Sequence, residues 1–373
     1  MDKILFITGS RSEYGLLKNL INLFSKNKKI KCHVIITGNH ISREYGNTKS
    51  FIKKENSVKF HYIDLKIKNS KKNDIINTMS IAFKLYNLKY NKIKPDKIIL
   101  VGDRFESYVA AIVAKINNIK LIHFHGGETT TGAYDNYWRH SMSIMSDLHF
   151  VANNHYKDRV AQIIDSKKNI FNIGGLGIDN IKKINFKNKI EIRKEFKFVF
   201  NKFNIVIVYH SVTNSPSENK SNFKKIIAAC NKIKDTNFFI SYPGYDLGSD
   251  AIISEIKKIS NKNMNKFTVF KNLGEENFLS LLKISDCIIG NSSSGIIEAP
   301  YLNIPTINLG RRQNGRIKDK TIYDCEIDIN IIKDMINRIV ILKSKNKIYK
   351  STNIYGKGNA SIKAAEIINN NGK

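Results

Sequence analysis

KILFITGSRSEYGLLKNLINLFSK, residues 3–26, joins a short apolar run to a segment of helical periodicity across Gly9 and Ser10. Ile4–Ile7 have no polar alternation, as expected of a strand buried on both faces, while the leucines and isoleucines that follow recur at helical spacing. The same kind of run recurs at CHVIITGN (32–39), DKIILVGD (96–103) and KLIHFHGG (120–127). A second series follows at NIVIVYHS (204–211), TNFFISYPG (236–244), DCIIGNSS (286–293) and IPTINLG (304–310). Strands alternating with amphipathic segments predict doubly wound α/β units with right-handed crossovers. The polar stretch DNIKKINFKNKIEIRKE (179–195) separates the series and reads as a linker. The expectation is two Rossmann-like domains, residues 1–178 and 195–373, facing a central cleft. IDINIIKDMINRIVILK (327–343) and NASIKAAEIINN (359–370) read as closing helices, the last a candidate to cross back to the first domain.

Composition narrows the function classes. The 373 residues carry 62 Lys and Arg against 32 Asp and Glu, a formal charge of +30. Such an excess can mark a nucleic-acid or membrane binder. Here it is mostly lysine spread along the chain among asparagine and isoleucine, without an arginine stripe, zinc-finger spacing or aromatic RNA motif. Solvated lysine faces that attract an anionic substrate are the reading, with no nucleic-acid or membrane partner. Cys32, Cys230, Cys287 and Cys325 form no C-x-x-C pair and suggest neither a disulfide framework nor a zinc site. No apolar run approaches the ~20 residues of a membrane span, and the N-terminal run is too short for a signal peptide. A soluble protein of a reducing cytoplasm is expected.

In doubly wound folds ligands bind beyond the carboxyl ends of the strands. The polar clusters sit there: Gly9 to Arg11, Asp103 with Arg104, His125 to Glu128, His210 with Ser211, Gly244 onward, and Asn291 to Gly295. HFHGGETTTGAYDNYWRH (123–140) gathers four His or Arg groups and two carboxylates into eighteen residues. Asp103, Glu128 and Asp135 are candidate acids and bases, since a partly desolvated pair can be split into one ionised and one protonated carboxyl. Asp103 and Asp135 can equally be helix N-caps. His210 is a candidate acid or phosphate-binding cation. His123 and His125, on one strand face, lack the spacing of zinc-protease ligands, so no metal is expected.

GNSSSGIIEAP (290–300) is the clearest ligand-binding stretch. Ser292, Ser293 and Gly295 let a phosphate approach the backbone of a helix expected to start near Ser294, and Glu298 is placed to accept ribose hydroxyls. An ordinary serine cap is the alternative. Arg11, Arg104 and Arg312 all follow strand ends, where a guanidinium fork suits a diphosphate. Neither a Walker loop nor G-x-G-x-x-G is present, so ATP and nicotinamide lack a fingerprint.

Taken in order, GSRSEYG, GDRFE, HFHGGETTTGAYDNYWRHSMSIMSDLHF, NIGGLGIDNI, GNSSSGIIEAP and INLGRRQNGR resemble the hydrolysing UDP-N-acetylglucosamine 2-epimerases of sialic acid synthesis. The resemblance spans most of the chain and implies a glycosyltransferase-B-like fold of two Rossmann-like domains. It implies elimination of UDP across C1 and C2, then addition of water, giving N-acetylmannosamine without a cofactor. It implies Asp103 and Asp135 as acid/base groups and His210 at the end of the second domain's first strand. It further implies nucleotide contacts at Arg11, Arg104, Ser292, Ser293, Glu298 and Arg312, and a homodimer or homotetramer. Relatives often read H-x-E where this chain has His123-Phe124-His125, so either His125 or Glu128 fills that position. A lysine that the non-hydrolysing relatives carry near Leu16 is absent. A legionaminic-type diacetamido sugar or a GDP-sugar is the alternative substrate, and a glycosyltransferase of the same fold the alternative class.

Overall fold

The computed structural model describes residues 1–41, 52, 57–67, 72–129, 131, 135–213, 215–243, 248–262 and 266–370. The polar cluster expected from Gly244 lies outside the described residues. The chain divides into two units. One comprises Met1–Glu128, Tyr134–Lys182 and Tyr355–Lys373; the other comprises Thr129–Ala133 and Lys183–Ile354.

The first unit is built on seven parallel strands, β1 (Asp2–Thr8), β2 (Ile30–Ile36), β3 (Val58–Tyr62), β4 (Lys97–Val101), β5 (Lys120–Phe124), β6 (Leu148–Val151) and β7 (Ile170–Asn172). Their order is β3-β2-β1-β4-β5-β6-β7. Helices α1 (Arg11–Ser25), α2 (Lys72–Ile93), α3 (Phe105–Ile116), α4 (Asp135–Met145), α5 (Asn154–Ile163) and α6 (Leu176–Lys182) fill the crossovers. Phe6, Val34, Ile99 and Phe124 meet Leu17, Leu20 and Phe24 of α1 on one face, while Leu5, Ile7, Ile35 and Leu100 meet Tyr86 and Ala110 on the other. Each fully buried side chain of this kind contributes about 1.5–3 kcal/mol, more than a helix cap.

The second unit carries six parallel strands, β8 (Phe203–Val208), β9 (Thr236–Ser241), β10 (Phe267–Phe270), β11 (Cys287–Gly290), β12 (Thr306–Leu309) and β13 (Ile322–Cys325), in the order β10-β9-β8-β11-β12-β13. Its helices are α7 (Lys189–Phe196), α8 (Asn219–Asn231), α9 (Ser249–Lys262), α10 (Glu275–Lys283), α11 (Glu298–Tyr301) and α12 (Ile329–Ser344). The last helix, α13 (Ala360–Asn370), belongs to the first unit, where Ala364 and Ile368 join the core beside α1. The buried Asp179 carboxylate of α6 accepts the amides of Ala360 (2.9 Å) and Ser361 (2.6 Å), capping the start of α13 from a distant part of the chain.

The 179–195 stretch, read as a linker, contains the boundary between the units at Lys182 and Lys183 and is itself largely helical, because α6 runs to Lys182 and Asn188 and Glu191 form a reciprocal capping box that starts α7. One local expectation is corrected: a continuous helix does not run from Ser294. Pro300 has no amide to donate to the Ile296 carbonyl, and the segment breaks into a 3-10 turn at Ser293–Gly295 and the four-residue α11.

In each sheet the strand order reverses once, between β1 and β4 in the first and between β8 and β11 in the second. Loops leaving neighbouring strands there diverge to opposite faces and open a crevice. Gly9–Arg11 and Asp103–Arg104 follow the first pair of strands; His210 and Asn291–Gly295 follow the second.

Candidate active site

At the β1 exit, the amides of Gly9 (2.6 Å) and Ser10 (3.0 Å) donate to Glu13, and Ser10 Oγ in turn caps α1 through the Glu13 amide. Arg11 opens α1 and is partly exposed. At the β4 exit, Arg104 Nη2 donates to Glu106 at 2.7 Å and Nε at 3.2 Å. Glu106 is 1% exposed, so the guanidinium is held from beneath by a buried anion. Burial pushes the Glu13 carboxyl up to about 7; the Arg104 cation opposes that rise and the Glu106 anion adds to it. Neither glutamate was singled out from sequence, because S-x-x-E and R-x-E spacings on a helix ordinarily mark caps and surface pairs.

Asp103 lies beside them but is not a cap: Arg104 holds that position at the start of α3. The Asp103 side chain, 25% exposed, forms an ion pair with Arg139, which is 2% exposed. Arg139 Nη1 also donates to the Glu128 carbonyl (2.7 Å) and to Asn136 Oδ1 (3.3 Å). One buried guanidinium of α4 therefore ties the β4 exit to the β5 exit. Asp135 sits one turn before Arg139, at the first position of α4, on the same face of that helix. Its spacing from Asp135 is the signal by which Arg139 is detectable.

His123 and His125 do not share a strand face. β5 ends at Phe124, and His125 takes a left-handed backbone, φ 63°. Its Nδ1 lies 2.8 Å from Glu128 Oε1. His123 is fully buried; Nε2 donates to the Gly102 carbonyl (2.9 Å) and Nδ1 faces Ser143 Oγ (3.2 Å). Burial pushes its pKa down to about 4, so it is neutral and structural. Glycine is required beside it at Gly127, φ 77°, where a Cβ would stand 2.6 Å from the Tyr156 carbonyl.

In the second unit Asn291 is the organising residue, fully buried. Its side chain accepts the His210 amide (2.7 Å) and donates to the His210 carbonyl (2.8 Å), fastening the β8 exit to the β11 exit. Its own carbonyl accepts Arg312 Nη1 (2.9 Å) and Gln313 Nε2 (2.8 Å) from the loop after β12. Ser292 caps the 3-10 turn through the Ser294 amide (3.3 Å), and Ser293 is partly exposed. Gly295 must be glycine, since a Cβ would meet Thr306 Cγ2 at 2.7 Å, and Thr306 Oγ1 donates to the Gly295 carbonyl at 2.7 Å. The Glu298 carboxyl is raised chiefly by burial, and its Oε2 is shielded with no hydrogen-bond partner among the described residues. Burial, then the Arg312 charge, push His210 down to about 3, so in this state it is a neutral imidazole, not a cation. An arriving phosphate would offset the Arg312 charge and favour protonation of His210.

Six of the sequence-derived residues thus fall in the first unit (Arg11, Asp103, Arg104, His125, Glu128, Asp135) and six in the second (His210, Ser292, Ser293, Gly295, Glu298, Arg312). No group of three His, Cys, Asp or Glu side chains suited to a metal occurs among the described residues. Residues 22–369 match the family model described as UDP-N-acetylglucosamine 2-epimerase.

The chain belongs to this family.

It is 34% identical to the polysialic acid biosynthesis protein P7 of Escherichia coli over 99% of this chain and 94% of that protein. It is 36% identical to the hydrolysing GDP/UDP-N,N'-diacetylbacillosamine 2-epimerase of Campylobacter jejuni, over 87% of this chain and 85% of that one. The UDP-GlcNAc 2-epimerase of Neisseria meningitidis, crystallised with UDP-GlcNAc, shares the fold, with a TM-score of 0.82 at 18% identity over 99% and 100% of the two chains. The 2-epimerase family fold, two parallel α/β sheets of glycosyltransferase-B type, is therefore the fold of this chain.

Proposed function

We propose that this 2-epimerase family member is a hydrolysing enzyme that converts UDP-N-acetylglucosamine to N-acetylmannosamine and UDP. The observation that carries the reading is the first unit's carboxylate set, in which Asp103, Glu128 and Asp135 lie on loops and a helix joined through buried Arg139. Elimination breaks the C2–H bond and the bond from C1 to the diphosphate oxygen. The C–H electrons form the C1–C2 double bond, and UDP leaves with the other pair. Water then adds its hydroxyl to C1 and a proton reaches C2 from the opposite face. Both steps need separate groups to take and give protons, and a leaving group with stabilised charge.

Nucleotide binding falls to the second unit. Ser292, Ser293 and Gly295 offer small side chains and free approach to the backbone, and Arg312 supplies charge beside His210. The shielded Glu298 Oε2 needs a donor, which a ribose hydroxyl provides. Arg11 and Arg104 add cations at the first unit's strand exits. No cofactor enters any step.

The 36% identity to the diacetylbacillosamine enzyme favours a second substrate within the same chemistry, a UDP- or GDP-linked diacetamido sugar. Incubation with each nucleotide sugar in deuterated water separates these. The proposal requires released nucleotide and a free sugar carrying deuterium at C2 from one of them. An epimerised sugar still bound to its nucleotide would reject hydrolysis.

A further inference from the structure

His125 is the side chain the carboxylate inventory leaves without a task. Its amide donates to the Phe150 carbonyl (2.8 Å), after which the left-handed turn swings its side chain out of the β5 alternation. The ring is 13% exposed and Glu128 4%. An ionised carboxylate can only accept, so the hydrogen in the 2.8 Å contact sits on Nδ1. Nε2 is then left with a lone pair. That atom is shielded from solvent and has no hydrogen-bond partner among the described residues. A buried acceptor is normally satisfied, and one that is not marks a place where another group is to arrive.

We propose that His125 Nε2 is the base that removes the C2 proton of the sugar, with Glu128 as its positioning residue. The inference rests on the elimination–hydration reading above. With its hydrogen at Nδ1 and a lone pair at Nε2, the ring can take a proton on that side but has none there to give, and the first proton to move in the sequence is the one on C2. Asp103, already engaged by the buried Arg139 cation, is the weaker base. In the step, the C2–H electrons become the C1–C2 double bond, UDP departs with the C1–oxygen pair, and the proton resides on Nε2. The ring faces Glu128 directly, and the neutral His123 lies nearby. Water carries the proton away before the next turnover, and a different acid delivers the C2 proton during hydration.

The test follows UDP release by the full chain. His125→Gln should release UDP about 10²–10⁴-fold more slowly while its calorimetric Kd for UDP stays within about threefold. Glu128→Gln should slow UDP release through kcat with KM little changed, and Glu128→Asp, which keeps an acceptor for Nδ1–H, should recover part of the rate. Supplied with the 2-acetamidoglycal, His125→Gln should hydrate it at the wild-type rate. Nitrogen-15 spectra of the ligand-free chain should show His125 as the Nδ1–H tautomer. Unimpaired UDP release by His125→Gln, an accumulating glycal, or the Nε2–H tautomer would each overturn the proposal while leaving wild-type hydrolysis standing. A wild-type chain that releases no nucleotide from any of these sugars removes the reaction itself, and this inference with it.

Discussion

Glu13 is kept near neutrality by the fold, and its titration belongs to stability as well as to the site. Its folded value of about 7 lies above the ordinary 4.5, so the folded chain binds that proton more tightly than the unfolded chain. Stability is then fullest below about pH 4.5 and declines as pH rises through about 7, a change of about 3 kcal/mol. Glu13→Gln retains an acceptor for the Gly9 and Ser10 amides but cannot ionise. Urea unfolding should show the variant gaining on the wild type by about that amount between pH 4 and 8, and a constant difference would contradict it. Asp103→Asn should lower the rate of UDP release by about 10²–10⁴-fold with little change in UDP affinity, since the nucleotide is assigned to other residues. A calorimetric Kd measured beside the rate decides this. The strand-exit positions of Asp103 and Glu128 were legible in the sequence, because a polar cluster just beyond an apolar run has a defined place in a doubly wound fold. Arg139 and Asn291 were not, because their roles depend on partners 36 and 81 residues away that only tertiary contacts bring together, and Glu106 was not, because an R-x-E spacing does not disclose that the glutamate is buried.

At the scale of elements, burial decided what could be read. The strands recognised from sequence, β1, β2, β4, β5, β8, β9, β11 and β12, include the centres of both sheets. The edge strands β3, β7, β10 and β13 mix buried with partly exposed residues, and that mixture weakens the apolar run on which recognition depends. β6 is fully buried but carries His149 within only four residues. Gly290 closes β11 at φ 142°, where a Cβ would stand 1.9 Å from the Val208 carbonyl. Gly290→Ala should therefore cost at least about 3 kcal/mol in urea unfolding and weaken UDP binding with it. The docking of α13 depends on a distant cap that sequence could not reveal. Asp179→Ala should cost about 1–2 kcal/mol and speed hydrogen exchange at the start of α13 ahead of the sheet amides. Unchanged exchange there would assign the docking to Ala364 and Ile368 alone.

Across the whole molecule, the +30 charge acts at long range on an anionic nucleotide sugar. Raising ionic strength should raise the KM for substrate more than it lowers kcat, because salt screens exposed lysines far more than the buried Arg139 guanidinium and the partly buried Arg104–Glu106 pair. Homodimer or homotetramer formation remains a proposal that light scattering tests directly. Hydrolysis is tested most directly by a proton and phosphorus NMR time course of the chain with UDP-N-acetylglucosamine, and in parallel with UDP-N,N'-diacetylbacillosamine, in deuterated water. Free UDP should appear in step with a free 2-epimeric sugar deuterated at C2 from one of the two. Sugar that epimerises while still joined to UDP, or UDP released with protium retained at C2, would contradict the hydrolytic reaction.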